Sequence, residues 1–374
     1  MPTMIDLFAG CGGMTQGFTE AGFTPVLAVE FNAHAAATYA ANFGDDHTFY
    51  GDIATLNEAD VPEVDLVIGG PPCQGFSNLG SKDINDPRNQ LWREYVRIVR
   101  KARPKVFVIE NVDRFMRSPE FALLLEEVKD EGLLQDYALS YGQLNAANYG
   151  VGQRRIRTIV IGSRIGKIEL PNPTHAQNPD TLEATVKPWV TLRERIGDVP
   201  FQSPSTDLPE RSEEVFGMMI PGPFTAEEIH LRRNPRAKSL ARYKLVPPGG
   251  GRFDIAKKAP ELLPRCWAEK PTGTTDVMGR LEWDKPSVTV RTEFFKPEKG
   301  RYLHPQWVEG EESQQVNRPI THREAARIQD FPDTFKWCGT KIEIARQIGN
   351  AVPVGLARAI AQHVKPYIEG DMAS

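Results

Sequence analysis

Cysteine is scarce in this chain: four in 374 residues, at positions 11, 73, 266 and 338, with no Cys-x-x-Cys and no histidine pair beside them. That spacing excludes a disulfide framework and a zinc cluster, and it fits a reducing compartment. No apolar run approaches the length of a membrane span. The N-terminal residues lack a signal-peptide pattern, and the first expected strand begins near residue 4, so a cytoplasmic protein is expected. Internal repeats and low-complexity tracts are missing too. Positive charge is not in excess: 45 Lys and Arg stand against 49 Asp and Glu, a net charge of −4. Any polyanion would have to be met by a local basic cluster. What remains, 25% charged and 40% hydrophobic residues, is a globular composition. At this length two domains are the default.

Short apolar runs alternate with loops that carry chemistry. Met4-Ile5-Asp6-Leu7-Phe8 is followed by Ala9-Gly10-Cys11-Gly12-Gly13 and then by a helix expected from Met14 to Ala21. A strand, a glycine turn and a helix make half of a nucleotide-binding unit, with backbone amides facing the ligand. A tight turn explains the glycines equally well. A second strand, Pro25–Val29, ends on Glu30, about twenty residues past the first glycine, where a ribose-binding carboxylate belongs. Asp52 follows a weaker run from His47 to Tyr50. Asp65–Ile68 runs into Gly69-Gly70-Pro71-Pro72-Cys73-Gln74-Gly75-Phe76-Ser77. Two glycines and two prolines force a stiff loop there, with one thiol at its apex. Lys105–Ile109 delivers Glu110-Asn111-Val112. Five candidate sites thus fall at the carboxyl ends of five successive strands, the edge where open α/β sheets bind ligands. A doubly wound, mostly parallel α/β sheet is the expected fold.

Phe8–Gly13, Gly69–Ser77, Glu110–Val112 and Gln153-Arg154-Arg155-Ile156-Arg157 resemble the ordered motifs of bacterial-type DNA cytosine-5 methyltransferases. Arg318-Pro319-Ile320-Thr321-His322-Arg323-Glu324-Ala325-Ala326-Arg327 and Gln347-Ile348-Gly349-Asn350-Ala351-Val352-Pro353 resemble the family's last two blocks. The likeness covers about 1–165 and 318–360; Gly152 stands where relatives usually carry proline. It implies a class I methyltransferase fold and S-adenosylmethionine as cofactor, with no metal. Glycine spacing alone does not separate that cofactor from a dinucleotide. Phe8, Gly10, Gly12, Gly13, Phe18 and Pro71 would shape the cofactor pocket. Glu30 would take the ribose and Asp52 the adenine, and Asn350 and Val352 would close the pocket from the far end of the chain.

The same resemblance assigns the chemistry to Cys73, Glu110, Arg155 and Arg157. Cytosine C5 is a weak nucleophile until a thiolate adds to C6, and Cys73 would supply that thiolate. A free thiol titrates near 8.5, roughly, so its surroundings must favour ionisation. Glu110 would hold or protonate ring N3, which asks for a carboxyl that keeps a proton. Arg155 and Arg157 would gather around the flipped base, with Arg157 favoured for the cytosine carbonyl. The base that removes the C5 proton is not assigned.

Between the catalytic blocks, the chain divides into 1–200 (catalytic, first part), 201–303 (target recognition) and 304–374 (catalytic, C-terminal part). Arg232 to Lys258 carries nine Lys and Arg against one acid, Asp254, and reads as a flexible basic loop along a phosphate backbone. Arg232, Arg233, Arg236, Lys238 and Arg242 are its candidate DNA contacts. Arg280, in the loop Gly273–Arg280, and Arg291 are candidates for pairing with guanine, and phosphate or structural roles stay open for both. Ser77–Gly80 or the basic segment would fill the gap left by a flipped base. Thr321 and Glu324 have capping-box spacing for a helix through Gln329, and a final amphipathic helix is expected within Ala345–Val364. The expected partner is duplex DNA, met by a monomer; a cognate restriction endonuclease, where one exists, would form no stable complex with it. Three rivals stand beside this reading: a tRNA cytosine-5 methyltransferase, an amino-methyltransferase, and a non-catalytic DNA-binding relative. The first usually shows a Cys-Phe-Thr signature, which this chain lacks; Cys73 after Pro-Pro opposes the second, and retention of Cys73, Glu110 and the arginines opposes the third.

Overall fold

The computed structural model describes residues 1–72, 87–179, 185–269 and 272–370, with the backbone alone for 87–90. Seven strands build the central sheet: β1 (Thr3–Leu7), β2 (Thr24–Glu30), β3 (Thr48–Tyr50), β4 (Leu66–Gly69), β5 (Val106–Val112), β6 (Ala138–Asn145) and β7 (Ile156–Ser163). Their order is β3-β2-β1-β4-β5-β7-β6. The first five run parallel, and β7 is antiparallel to both β5 and β6. The mostly parallel, doubly wound sheet expected from the sequence is present. β7 lies inside the sheet, and β6 is the edge. The order reverses at β1, so the crevice beyond β1 and β4 is the switch point.

Helices cover both faces. α2 (Ala33–Phe43) lies on one, its Tyr39 packed on Ala28 and bonded to the Thr15 hydroxyl; the other carries α3 (Pro87–Ala102) and α4 (Pro119–Glu127). On this side Trp92, Tyr95 and Val99 of α3 and Leu124 of α4 pack on Ile5, Val67 and Phe107. On the other, Met14 and Phe18 of α1 (Gly13–Glu20) meet Leu356, Ile360 and Val364 against Ile68 and Val108. Those last apolar residues belong to a terminal helix that approaches α1 closely. A Cβ at Gly17 would sit 2.5 Å from the amide nitrogen of Arg358, so only glycine admits this approach.

The remainder carries short elements: β8 (His175–Ala176), β9 (Lys187–Pro188), α5 (Leu192–Ile196), β10 (Ser212–Val215), β11 (Met218–Pro221), α6 (Ala237–Lys244), α7 (Arg252–Lys258), α8 (Arg265–Ala268), β12 (Gly279–Arg280) and β13 (Arg301–Leu303). Three helices end the chain: α9 (His322–Ile328), α10 (Lys341–Asn350) and α11 (Val354–Glu369). The expected capping box starts α9, with Thr321 and Glu324 each bonding the other's backbone amide. The single final helix expected within 345–364 is instead two. Pro353 lacks an N–H, and Ala351 has left helical geometry at ψ 144°. That break leaves Asn350 as the last residue of α10 and Val352 between the two helices.

The basic stretch 232–258, expected as a flexible loop, contains α6 and α7 instead. Residues 201–303 divide their apolar side chains. Tyr243, Val246, Ile255, Met278 and Leu303 form a small core of their own. Phe224, Ile229, Val290, Phe294 and Tyr302 join a larger one with Ala325, Ile328, Ile344 and Ile348. The β10–β11 hairpin lies on the catalytic sheet side: Ile220 packs with Ala37 of α2, and Phe216 stacks on Tyr50 at 5.5 Å.

Candidate active site

At the switch point the chain leaves β1 in unusual backbone geometry. Phe8 (φ 60°), Gly10 (φ 57°) and Gly12 (φ 90°) all take left-handed conformations. A non-glycine residue there is strained, a cost that persists where function fixes the loop. Glu30, at the end of β2, fastens this turn. Its carboxylate accepts the amide N–H of Gly10 at 2.8 Å and that of Asn32 at 2.7 Å. Burial pushes the Glu30 carboxyl upward, and the amides of Asn32 and Gly10 oppose the push. Beneath the loop, Asp6 is buried and accepts the Thr15 hydroxyl at 2.6 Å. Burial, the Thr15 bond opposing it, and the charge of Glu30 leave its carboxyl raised to about 7.

A cavity of about 720 Å³ opens over this turn, within the usual size for small-ligand sites. Phe8, Gly10, Gly13, Glu30, Asp52 and Pro71 line it from the N-terminal half. Asn350 and Val352 close it from the C-terminal segment. The two ends are tightly fitted, because a Cβ at Gly13 would lie 2.7 Å from the Val352 carbonyl oxygen. Gly12 stands behind the lining, where a Cβ would strike the Phe43 ring at 2.3 Å. Asp52 is exposed, and its carboxylate also caps the turn that follows, accepting from Ala54 N–H at 3.0 Å. Phe18 does not reach the cavity. It is fully buried in the α1–α11 core, so its assignment to the cofactor pocket is corrected to a packing role.

Glu110, Arg155 and Arg157, three of the candidate catalytic residues, meet at the other side of the same cavity. Glu110, 8% exposed near the end of β5, forms an ion pair with Arg157 of β7, Nε to Oε1 at 2.9 Å. The antiparallel register of β5 and β7, which sets Val112 opposite Arg157, brings the two side chains together. Arg155 is buried. Its guanidinium donates to the carbonyl of Val290 at 2.9 Å, that of Gly349 at 2.9 Å and that of Asn350 at 3.5 Å. Burial and the nearby Arg157 lower its pKa to about 9. Pro71 and Pro72 line the cavity and lead to Cys73, which lies outside the described residues, as does Ser77–Gly80.

Two further residues belong to the site. The side-chain amide of Asn111 donates to the Pro71 carbonyl at 2.8 Å, tying the root of the Pro-Pro-Cys segment to β5. Its place between Glu110 and Val112 was the available signal. Phe31 lines the cavity with 73% of its surface exposed. An aromatic residue directly after the strand-ending acid was its only sequence mark.

The proposed DNA contacts separate by burial. Arg232, Arg236 and Lys238 are exposed. Arg233 is exposed and donates to the Phe295 carbonyl at 3.1 Å; Arg242 is half-buried and donates to that of Leu262 at 2.7 Å. Arg291 is exposed, 3.5 Å from Asp276. Arg280 is 0% exposed. All five of its donors are spent, on the carbonyls of Val246, His304, Val316 and Tyr243 and on Asn317 Oδ1, at 2.7–2.9 Å. No donor is left for a base, so the guanine-reading assignment of Arg280 is corrected to a structural one. Among the described residues no group of His, Cys, Asp or Glu is arranged to hold a metal ion, and no helix is long and apolar enough to cross a membrane.

Comparison with known proteins agrees with this geometry. The family profile for C-5 cytosine-specific DNA methylases matches residues 2–366. The Type II methyltransferase M1.HphI of Haemophilus parahaemolyticus is 35% identical over 373 residues, covering 97% of this chain and 86% of that protein. The Type II methyltransferase M.AgeI of Thalassovita gelatinovora is 30% identical over 445 residues, covering 97% and 99%. Among solved structures, a prophage-encoded Escherichia coli protein aligns with a TM-score of 0.69 at 24% identity, covering 99% of this chain and 100% of that one. The Dnmt2 methyltransferase of S. pombe aligns with a TM-score of 0.62 at 18% identity, covering 98% and 99%. The two structures speak for the fold; the family profile and the two Type II relatives speak for the chemistry. The chain belongs to the C-5 cytosine-specific DNA methylase family and is a DNA cytosine-5 methyltransferase.

Proposed function

We propose that the chain methylates C5 of a cytosine within a specific duplex sequence, taking the methyl group from S-adenosylmethionine through a transient Cys73–C6 bond. The observation that carries this reading is one cavity in which the Glu30–Asp52 lobe meets the Glu110–Arg157 pair at the root of the Pro71-Pro72-Cys73 segment. The donor set suits the cofactor. The Glu30 oxygens hold Gly10 and Asn32, and each keeps a lone pair for a ribose hydroxyl. Asp52 offers an acceptor for an exocyclic amine, and Phe31 and Ile53 offer apolar surface to a purine. When bound, the cofactor supplies an activated methyl group on a sulfonium.

The chain's own residues do the rest. The Cys73 thiolate adds to C6 of the ring, and the electron pair released from the C5–C6 double bond makes C5 nucleophilic. Glu110 meets N3, where charge collects during the attack, and Arg157 turns to the neighbouring carbonyl. Once C5 carries the methyl group, its proton leaves, the C6–S bond breaks and the thiolate returns. A stacked base hides the face that Cys73 must reach, so the cytosine leaves the duplex first, at a cost of a few kcal/mol, roughly. Residues 201–303 form the recognition domain. The enzyme acts as a monomer in the cytoplasm, and a restriction endonuclease, where one accompanies it, works apart from it.

Duplex DNA carrying 5-fluorocytosine at the target tests the mechanism, because fluorine cannot leave as a proton does. A covalent adduct at Cys73 is expected with cofactor present, and Cys73→Ser is expected to give neither adduct nor product. Turnover by that variant would refute the mechanism. Offering duplex DNA and tRNA side by side as methyl acceptors decides the substrate class, with duplex DNA expected.

A further inference from the structure

Gln153 and Arg155 stand two positions apart, and both are buried. Between them they take both main-chain polar groups of Val290. The Val290 amide donates to Gln153 Oε1 at 2.8 Å, and its carbonyl accepts from Arg155 Nη1 at 2.9 Å. The next residue is Arg291, the exposed candidate DNA contact. Neighbouring backbone bonds run alongside, with Arg154 donating to the Ser287 carbonyl and Ser287 to that of Gly152, each at 2.8 Å.

The other ends of the same side chains hold the cofactor wall. Gln153 Nε2 donates to Gln329 Oε1 at 2.5 Å, and Gln329 Nε2 donates to the Ile348 carbonyl at 2.5 Å. Arg155 Nη2 reaches the carbonyl of Gly349 at 2.9 Å. These carbonyls directly precede Asn350, which lines the cavity. The two segments also touch: a Cβ at Gly349 would fall 2.4 Å from the Thr292 amide nitrogen. An apolar contact would fill this volume equally well. A buried hydrogen-bonded bridge instead specifies one arrangement, because any other leaves polar groups unpaired.

We infer that Gln153 and Arg155, with Gln329, are positioning residues that join the cofactor wall at 348–350 to the DNA-facing segment at 290–292, so that cofactor and DNA bind cooperatively. The inference rests on the proposed reaction. A ligand that orders Asn350 fixes the bridge and spares a ligand at Arg291 part of the ordering cost, and the effect is reciprocal.

The test measures the Kd of S-adenosylhomocysteine by calorimetry, alone and with a duplex carrying the sequence found methylated in an expressing host. For the unmodified enzyme the duplex is expected to tighten binding about fivefold or more. In Gln329→Met, which keeps the volume and removes the donor and the acceptor, the ratio is expected to fall to within about twofold of unity. Arg155→Lys, which keeps the charge and loses the fork, is expected to do the same. A purely structural role would lower the melting temperature and leave the ratio intact, and that result overturns the inference. So does a ratio of one in the unmodified enzyme. Should Arg155→Lys fail to fold, Gln329→Met alone decides. The 5-fluorocytosine adduct is followed in parallel: an adduct without coupling sinks only this inference, whereas no adduct sinks the proposed reaction.

Discussion

Phe31 keeps most of its ring in water at the lip of the cavity, directly after the acid that fastens the glycine turn. A ring left there has little to do in the empty protein and much to offer a flat heterocycle. Phe31→Ala is therefore expected to weaken S-adenosylhomocysteine binding by roughly 5- to 150-fold, the worth of one base–aromatic stack at about 1–3 kcal/mol. The melting temperature without ligand should not move, since the side chain packs on little. Calorimetry and a thermal melt check the two halves. Arg280 and Arg291 make the opposite pair. Removing Arg280 strands four main-chain carbonyls and Asn317 in the interior, and each buried acceptor left bare costs about 1–3 kcal/mol. Arg280→Ala should thus destabilise by about 3 kcal/mol or more, read from denaturant unfolding. Arg291→Ala, at an exposed site, should stay within about 0.5 kcal/mol of the parent while weakening DNA binding. The sequence could not tell these arginines apart, because a guanidinium is ordinarily a surface group and its burial depends on carbonyls contributed by three separate stretches.

The elements that were readable share one property. β1, β4 and β5 are short runs buried on both faces, so their sequences are mostly apolar, Asp6 of β1 apart, and give way abruptly to glycine, proline or acid. β6 escaped notice as an edge strand whose outward residues, Tyr141 among them, face water and break the run. The glycine turn, Glu30, Asp52 and Glu110 were legible because strand ends locate them. The Asn111 tether, the Arg155 bridge and the burial of Phe18 were not, since each depends on a segment far away in the chain. The α1–α11 contact offers a prediction of its own. Gly17→Ala inserts a methyl group where the Arg358 backbone already stands, an overpacking expected to cost about 1–3 kcal/mol and measurable as a lowered unfolding midpoint. Deleting residues 345–374 removes Asn350, Val352 and all of α11, and should abolish binding of S-adenosylhomocysteine; an unchanged Kd would contradict the closing role given to this segment.

For the molecule as a whole, one buried cluster, which joins α9 to the segments before it, ties stability to pH. Arg318 pairs with Glu324 through both carboxylate oxygens, at 2.7 and 2.8 Å, and His304 Nε2 lies 3.5 Å from the same carboxylate. Gln306 N–H donates to His304 Nδ1, so the ring is neutral with its proton on Nε2. Burial raises the Glu324 carboxyl, but Arg318 and His304 outweigh it and leave it at about 2. Burial holds His304 near 3 and His322 near 4. All three values lie below those of the unfolded chain, roughly 6.5 for His and 4.3 for Glu. Below pH ~6.5 the unfolded state binds more protons than the native one, so stability should begin to fall there and drop further below pH ~4.3. Asp6 opposes this: raised to about 7, it contributes fully only below its unfolded value and loses that contribution as pH climbs towards 7. Urea unfolding from pH 7 to 3 checks the slope, and Glu324→Gln should flatten its acid end. The cavity has a different consequence in time. Its floor comes from residues 6–30 and its last wall from residues 343–352, so a ribosome must pass residue 352 before the pocket exists. Products terminated before that point would carry the Gly69–Ser77 segment without the wall that closes the cavity.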